Sequence, residues 1–153
     1  MAINVKTKGA SGEREVCDML NFIIYQVMGE LGYSKEECLK GLKSVQRNQN
    51  QSAVGGNDLV GTFGLSIEVK RQEQLAVNTW WKQCEAAAKR NNEVPVLMYR
   101  QNNKPWRVVT YGWIPLNNGR QTQARVEFDI DFFKTWFRMW VLAAFANGAT
   151  IRT

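Results

Sequence analysis

The sequence predicts an α+β, or mixed-sheet α/β, domain in which a central mixed sheet is flanked by helices. Four segments repeat apolar residues at steps of three and four, which is typical of helices, and five shorter segments are strand-like. They follow one another as helix, helix, hairpin, helix, hairpin and helix. Because 153 residues are the length of one ordinary domain, we expect a single domain over residues 1–153.

Two helices are predicted to open the chain. The first extends from about Ser11 to Leu31, with Ser11 as its N-cap and with Glu13 and Glu15 in the first turn, near the positive end of the helix dipole. Its apolar face comprises Val16, Leu20, Ile23, Val27 and Leu31. A capping box begins the second helix, Ser34–Arg47. The buried face predicted for it comprises Cys38, Leu39, Leu42 and Val45.

A polar loop over residues 47–57 leads to two strand-like runs. These runs are Asp58–Thr62 and Leu65–Lys70, and they are joined at Phe63–Gly64. Apolar and polar residues alternate in the second run. Because side chains alternate across a strand, Glu68 and Lys70 are predicted to lie on the same face.

The second half of the chain continues the alternation of helices and strands. A helix is predicted at about Thr79–Asn91, followed by a strand pair, Val94–Arg100 and Trp106–Tyr111. A short strand at Arg125–Phe128 then leads to an Asp-capped final helix, about Asp131–Asn147. The fold is therefore expected to carry an extra helix near its N-terminus and an aromatic helix at its C-terminus.

The charge balance favours a polyanionic partner, and the composition limits the available chemistry. Lys and Arg number 20 against 14 Asp and Glu, so the net charge is +6. There is no histidine, which excludes Ser-His-Asp and Cys-His catalysis and histidine metal sites. An enzyme of this composition would depend on carboxylates, lysine and a hard metal ion.

The cysteines and the apolar segments bear on the cellular compartment. Cys17, Cys38 and Cys84 are scattered, which argues against a disulfide framework and a zinc knuckle. The longest apolar stretch, Phe132–Phe145, is short for a membrane span and contains Lys134. No secretory signal is visible at the start. We expect a soluble, intracellular, cytoplasmic protein with no membrane partner.

Asp58, Glu68 and Lys70 form the pattern most suggestive of catalysis. Two carboxylates that converge on neighbouring strands offer hard oxygen ligands to Mg²⁺. A lysine on the same face can orient or deprotonate water and stabilise charge on a phosphate. The alternative is an ion pair on an exposed strand face. The position of Asp58, directly after Gly55–Asn57 and at the start of an apolar strand, favours the functional interpretation.

Four stretches carry motifs in a recognisable order. They are residues 8–15 (KGASGERE), Gln51-Ser52-Ala53 followed by Asp58-Leu59-Val60, then Ile67-Glu68-Val69-Lys70, and finally Val94–Leu97 with Trp106–Val108. This series resembles the archaeal-type Holliday junction resolvases of the PD-(D/E)XK nuclease superfamily. The resemblance spans residues 8 to 109, about two-thirds of the chain.

The resemblance implies a restriction-endonuclease-like core and a homodimer that hydrolyses branched DNA with Mg²⁺, for which Mn²⁺ can substitute. Asp58 and Glu68 would bind the metal together with the Val69 carbonyl, and Lys70 would be the catalytic lysine. Glu13 would be a further acid brought to the site by the first helix, although it can also be explained as a carboxylate placed for the helix dipole. The product would carry a 5′-phosphate.

Basic residues bracket these acids and suit phosphate contacts. The residues predicted to bind DNA are Lys8, Arg14, Lys43, Arg47, Ser52 and Arg71, of which Ser52 falls on a family position near the scissile phosphate. Two departures from the family bear on junction preference: Gln51 replaces an arginine, and the interval between Glu13 and Asp58 is longer than usual. Gln83 is similar to a residue of a virus-type nuclease subgroup, but a surface glutamine is the commoner explanation.

Aromatic residues are concentrated in two places. Trp80 and Trp81 are adjacent, and on a helix they are not expected both to face the core squarely. The final helix carries a wide apolar stripe of Phe132, Phe133, Trp136, Phe137, Trp140, Val141, Ala144 and Phe145. Part of the stripe is expected to be core, and the remainder a dimer surface. Base stacking is the less favoured explanation, because few basic residues interleave with these rings.

The predicted function is therefore a metal-dependent endonuclease that resolves four-way or other branched DNA junctions. Within the enzyme class, the alternative is a flap, end-processing or restriction-like nuclease with the same site. Outside it, the chain could be a DNA-binding module that has lost hydrolysis, or a protein-interaction domain that uses its aromatic helix. Paired nicks at a junction, or their absence, would separate these functions.

Overall fold

The structure is a computed structural model that describes residues 5–49 and 57–151, with the backbone alone described for residues 5–8. Four helices and six strands are present in this part of the chain. In chain order they are α1 (Val5–Glu30), α2 (Lys35–Gly41), β1 (Gln46–Arg47), β2 (Leu59–Val60), β3 (Leu65–Arg71), α3 (Val77–Asn91), β4 (Val94–Arg100), β5 (Arg107–Pro115), β6 (Gln121–Asp129) and α4 (Ile130–Ala146).

Strands β3 to β6 form a mixed four-stranded sheet in the order β3-β4-β5-β6. β3 and β4 are parallel and are connected through α3, whereas β4, β5 and β6 pair in antiparallel fashion. β1 and β2 form a separate two-stranded antiparallel ribbon. The predicted α+β class, with a mixed sheet flanked by helices, is confirmed.

Each face of the sheet is covered by helices. On one face, α1 and α4 enclose a core that includes Leu20, Ile67 and Phe137. On the other face, α3 packs over β3 and β4, and Trp80 and Trp81 are both buried, at 6% and 5% exposure. The prediction that these tryptophans cannot both face the core was wrong. The Trp80 ring contacts Tyr99 of β4, whereas the Trp81 ring extends past β4 to contact Tyr111 of β5.

Helix α1 begins earlier than predicted. It starts at Val5, so Ser11 lies inside the helix and is not its N-cap, and Glu13 is not in the first turn. The Ser11 hydroxyl instead accepts a hydrogen bond from the Arg71 guanidinium at 3.1 Å. The explanation of Glu13 as a helix-dipole carboxylate is therefore wrong, since the dipole acts within the first turn.

Helix α2 has the predicted cap but a different buried face. The Ser34 side chain accepts a hydrogen bond from the Glu37 amide at 3.2 Å. The helix ends at Gly41 rather than continuing to Arg47, and Leu39 and Leu42 are exposed rather than buried. α2 packs on α1 through Gly41, where an added Cβ would lie 2.9 Å from the Met28 sulfur. The side that faces α1 is centred on that glycine, which leaves both leucines outside.

The segment before β3 does not form the predicted strand pair. β2 has two residues and pairs with β1, so the prediction of a hairpin between β2 and β3 was wrong. Positive φ angles at Gly61, Phe63 and Gly64 turn the chain away between the two strands. Asp58 nevertheless contacts β3 directly.

The last two strands are longer than predicted. β5 continues past Tyr111 to Pro115, and β6 begins at Gln121 rather than Arg125, which gives nine paired positions. Residues 113–115 and 121–123 are exposed on both faces, and they do not alternate between apolar and polar, so this part of the hairpin was missed.

Helix α4 is confirmed as an Asp-capped helix, with the Asp129 carboxylate accepting a hydrogen bond from the Phe132 amide at 2.8 Å. Phe133, Phe137 and Val141 of the aromatic stripe are fully buried, whereas Phe132 is half exposed. Among the described residues, no helix combines the length and the apolar character needed to cross a bilayer.

Candidate active site

β3 presents Glu68 and Lys70 on the face of the sheet that α3 covers, as the period-two alternation predicts. The Lys70 ammonium lies 3.5 Å from a Glu68 carboxylate oxygen. Neither side chain is fully solvated, with 14% exposure for Glu68 and 23% for Lys70. A carboxylate and an amine are thus held close together on a strand at the edge of the sheet.

Asp58 lies against the open edge of β3. Its amide donates to the Ile67 carbonyl at 3.1 Å, and its carboxylate accepts from the Val69 amide at 2.6 Å. Asp58 is only 8% exposed. These contacts place its carboxylate beside β3 although β2 and β3 do not pair. The predicted convergence of Asp58 with Glu68 and Lys70 is therefore present, by a different route from the expected hairpin.

Asn57 anchors the chain immediately before Asp58. Its side-chain amide donates to a Glu93 carboxylate oxygen at 2.6 Å, and its side-chain oxygen accepts hydrogen bonds from the Ser66 hydroxyl and the Asn91 amide. The segment is thereby tied to both β3 and the end of α3. Sequence analysis missed this role, because the partners are 9 to 36 residues away.

Helix α1 brings Glu13 towards the same strand. At Gly12 an added Cβ would lie 3.1 Å from the Arg71 Cβ and 3.6 Å from a Val69 methyl carbon, so the helix approaches β3 closely here. Glu13 follows directly and is 14% exposed. The Arg47 guanidinium binds its carboxylate at 2.7 Å.

A second set of charged groups, which sequence analysis missed, holds α1 on the sheet. One oxygen of the Glu15 carboxylate accepts from the Arg100 guanidinium at 2.9 Å, and the other accepts from the Trp106 indole at 3.0 Å. Arg100 also lies over the Trp106 ring, 5.4 Å from its centroid. The partners are more than 80 residues apart in the sequence, so no local pattern signals them.

Burial and the neighbouring carboxylates raise the pKa of Glu68 to about 7. Burial is the largest cause, followed by repulsion from the Asp58 carboxylate, while Lys70 opposes both and Glu13 adds a smaller repulsion. A raised carboxyl pKa in such a cluster is typical of functional sites. It also means that a cation near Asp58 and Glu68 would be favoured electrostatically.

The donors at this edge suit a hard divalent metal ion. Asp58 and Glu68 supply carboxylate oxygens, and the Val69 carbonyl is directed to the Asp58 side of β3, because the N–H and C=O of one strand residue point the same way. No cluster of three or more His, Cys, Asp or Glu side chains suited to a metal ion occurs in residues 5–49 and 57–151. The two carboxylates and the backbone carbonyl are oxygen donors, the type that hard divalent ions bind.

The buried thiols near the site are poor nucleophiles. Burial raises the pKa of Cys17 to about 12, and burial together with the Glu68 charge raises the pKa of Cys84 well above its ordinary value. All three cysteines are free and buried. Carboxylate and lysine chemistry thus remains the chemistry that this site can perform.

The residues predicted to bind DNA have differing environments. Arg14 and Lys43 are exposed on α1 and just after α2. Arg47 is paired with Glu13, and Arg71 is half-buried with its guanidinium on Ser11. Ser52 and the side chain of Lys8 lie outside the described residues, as do Gln51 and Ala53 of the same motif. Gln83 is exposed on α3.

Comparison with known proteins assigns the family. The chain matches the model of the family described as "Phage putative PDDEXK endonuclease" over residues 4–144. The chain belongs to this family. The predicted membership of the PD-(D/E)XK nuclease superfamily is thereby confirmed. Nucleases of this superfamily generally use divalent metal ions.

Among solved structures, the chain is similar to Hjc, a Holliday junction resolvase from the archaeal hyperthermophile Archaeoglobus fulgidus. The two share 15% sequence identity with a TM-score of 0.37, and the match covers 84% of this chain and 88% of the resolvase chain. A comparison with curated protein sequences gave no match.

Proposed function

We propose that this PD-(D/E)XK nuclease is a Mg²⁺-dependent endonuclease that resolves four-way or other branched DNA junctions, with Mn²⁺ able to substitute. The observation that supports the chemistry is the placement of Asp58, Glu68 and Lys70 together at the β3 edge, where the pKa of Glu68 is raised. This combination suits phosphodiester hydrolysis without histidine.

In the proposed mechanism each residue has a distinct role. Asp58, Glu68 and the Val69 carbonyl would hold the metal ion, which supplies Lewis-acid stabilisation of charge on the phosphate. Lys70, on the same strand face, orients the attacking water and offsets the negative charge that develops in the transition state. Glu13 contributes a further carboxylate from α1. Hydrolysis leaves the 5′-phosphate on the product.

DNA contacts are proposed for the basic residues around this edge: Lys8, Arg14, Lys43, Arg47, Ser52 and Arg71. Such contacts bind the backbone without reading base sequence, which is appropriate for an enzyme that recognises the shape of a junction. Arg47 is placed to bind either Glu13 or a phosphate. We therefore propose that DNA competes with Glu13 for this guanidinium.

A homodimer would supply the two active sites that symmetric cleavage of two strands requires. The exposed apolar side chains of α1 and α4 support this proposal, with Phe22, Phe132 and Met139 each at least half exposed. Phe22 also lines a groove of about 480 Å³ between the two helices. Sedimentation of wild-type protein and of Phe22→Asp would test this surface, since a dimer interface there should be lost in the variant.

The decisive experiment is cleavage of a labelled immobile four-way junction in Mg²⁺, beside matched linear duplex and single-stranded DNA. Glu68→Ala serves as the inactive variant, and Asp18→Asn, an exposed carboxylate on α1, as the matched control. Paired nicks in the junction alone, lost only in Glu68→Ala, would support the proposal. Cleavage of every substrate would retain the nuclease and remove the junction preference. Binding of the junction without cleavage in Mg²⁺ or in Mn²⁺ would identify a DNA-binding module.

A further inference from the structure

The β5–β6 hairpin extends beyond the rest of the sheet. β4 pairs with β5 only over Arg107–Val109, whereas β5 and β6 pair along nine positions, from Arg107–Asp129 to Pro115–Gln121. Residues 112–124 therefore form a two-stranded ribbon with its turn, which we call the distal arm. Every side chain from Trp113 to Gln123 is exposed.

The distal arm exposes large apolar side chains. Trp113 is 62% exposed, the highest value for a large apolar side chain in the described part of the protein, and Ile114 and Leu116 are 44% and 45% exposed. Alternation along β5 places Trp113 and Ile114 on opposite faces of the ribbon. The apolar residues of the arm therefore do not form one continuous patch, which disfavours a second copy of the chain or a membrane as the partner.

The arm is ordered by its own hydrogen bonds. In the turn, the Leu116 amide donates to the Arg120 carbonyl at 2.7 Å, and the Gly119 amide donates to the Leu116 carbonyl at 3.1 Å. Gly119 has a φ of 81°, which favours glycine at this position. Trp113 is thus presented by a preformed ribbon, and binding would require little ordering of the backbone.

The charge of the arm favours a polyanion. Residues 110–126 contain Arg120 and Arg125 but no Asp or Glu, and the exposed polar side chains between Pro115 and Ala124 are amides, a threonine and Arg120. One exposed aromatic ring, accompanied by cations and amide groups, is the combination that binds unpaired bases by stacking and their phosphates by charge. Two arginines are few for a surface that binds duplex DNA through phosphates alone.

Within the arm, Trp113 lies on the same face of the sheet as Glu68. Across the strands, Glu68 is level with Leu97, and Leu97 with Val109, so alternation along β5 places Trp113 on the same face as Glu68. Trp113 is four residues along the strand and two strands across, which corresponds to about 16 Å from Glu68. A stacked DNA strand at about 3.4 Å per nucleotide needs roughly five nucleotides for that direct distance, and more to pass around α3, which covers the sheet between the two residues.

We propose that the distal arm binds an unpaired DNA strand that leaves the cleavage site, with Trp113 stacked on a base and Arg120 on a phosphate. This inference rests on the proposed nuclease function and adds a preference, among the proposed branched substrates, for DNA in which an unpaired strand extends at least about five nucleotides from the cleaved bond. The occupant is thus a strand released by a branch, flap or end.

The test measures the affinity of the full-length protein for labelled duplexes that carry 0, 3, 6 or 9 unpaired thymidines at one end. Binding is followed by fluorescence anisotropy in the Glu68→Gln background, so that cleavage does not interfere. We expect the affinity to rise with overhang length. Trp113→Ala should lower the affinity about tenfold for the longer overhangs and leave the affinity for the blunt duplex unchanged. Trp113→Phe should restore most of the gain, and Arg120→Gln should reduce the salt slope by about one.

Leu39→Ala is the matched control, because Leu39 is an exposed apolar side chain on α2 at 47% exposure. It should bind every probe as the parent protein does. Equal affinity of Trp113→Ala and the parent for the long overhangs would overturn the inference. If Trp113→Ala lost affinity equally for blunt and overhang DNA, the inference would be overturned in favour of duplex binding. If Trp113→Ala converted a dimer to a monomer, it would be overturned in favour of a subunit interface.

Cleavage in Mg²⁺ by protein with Glu68 intact separates this inference from the proposed function. If overhang binding depends on Trp113 but no substrate is cut, the inference stands and the nuclease assignment of the site fails. If DNA is cut but overhang length and Trp113 have no effect, the nuclease stands and the role of the arm fails.

Discussion

At the β3 edge of the sheet the protein buries charged side chains, whereas at the far end of the β5–β6 hairpin it exposes apolar ones. Asp58 is 8% exposed, and Trp113 is 62% exposed. Both reverse the usual distribution, in which carboxylates are solvated and tryptophan is largely buried. A reversal in either direction carries a free-energy cost, so these two regions are where function is to be sought.

The two regions differ in how the surrounding structure holds them. At the β3 edge, α1, the Asp58 segment and β3 itself converge, and hydrogen bonds or ion pairs fix each charged group. The distal arm has only its own strand pairing and turn. The first region is therefore suited to chemistry that requires fixed geometry, and the second to binding. The following predictions test that contrast.

The largest expected effect is on catalysis at the β3 edge. Lys70→Ala should reduce the rate of DNA cleavage by about 10²–10⁴-fold, the range for loss of a group that acts in proton transfer. Single-turnover cleavage with excess enzyme would measure it, beside Lys82→Ala, an exposed lysine on α3. Equal losses in both variants would show that only general positive charge is needed, and would remove the contrast.

The contact between α1 and β3 should be nearly as sensitive. Gly12→Leu places a side chain where even a Cβ would lie 3.1 Å from Arg71, and should destabilise the fold by about 1–3 kcal/mol. Gly9→Leu in the same helix has no atom within 4 Å of the added Cβ and should not destabilise it. Denaturant unfolding would compare the two. Similar stabilities would mean that α1 does not approach β3 as described.

The raised pKa of Glu68 predicts a pH dependence of stability. Its pKa rises from 4.5 unfolded to about 7 folded, so the folded state binds this proton more tightly. The stability of the metal-free protein should therefore fall as pH rises from about 4.5 to about 7. Glu68→Gln should remove this decline and raise the melting temperature by several degrees at pH 8, with little difference at pH 4.

Thermal melts in EDTA across this pH range would measure that effect. Asp18→Asn, which changes an exposed carboxylate on α1, should retain the wild-type slope. A steeper decline in Glu68→Gln than in the wild type would contradict the burial of charge at this edge. Added Mg²⁺ should oppose the decline in the wild type, since a metal ligand must be deprotonated to bind.

The smallest effect is expected at the pair of Arg47 and Glu13. Arg47 is 30% exposed, so Arg47→Ala should change stability by less than about 1 kcal/mol. If this guanidinium also binds phosphate, the variant should lose about one unit of salt slope in DNA binding. Arg138→Ala, which removes a surface ion pair with Glu30, is the matched control and should leave DNA binding unchanged.

Sequence patterns predicted most of the secondary structure because most elements bury one regular face. The strands β3 and β4, the helix α3 between them and the Asp-capped α4 were all predicted from apolar periodicity and capping residues, whereas the parallel pairing of β3 with β4 was not. The failures share a cause. Local patterns predicted burial for Leu39 and Leu42, which are exposed. They also placed the start of α1 at Ser11, which lies inside the helix, and the end of β5 at Tyr111, before the exposed distal arm.

By itself the sequence predicted which residues would carry the chemistry. The absence of histidine, the alternation of Glu68 with Lys70 and the order of the four motifs pointed to a metal-dependent PD-(D/E)XK nuclease, a superfamily that the family match confirms. Those properties are local or compositional. They do not depend on how distant segments pack.

Only the tertiary structure decided how these residues meet. Asp58 reaches β3 through its own amide and carboxylate rather than through strand pairing, and Glu13 arrives because Gly12 lets α1 approach closely. Burial of Glu68 beside Asp58 and Glu13 raises the pKa of Glu68, and the excess length of β5 and β6 over β4 leaves Trp113 in solvent. Each outcome depends on distances between residues far apart in the chain, and no local sequence pattern encodes such distances.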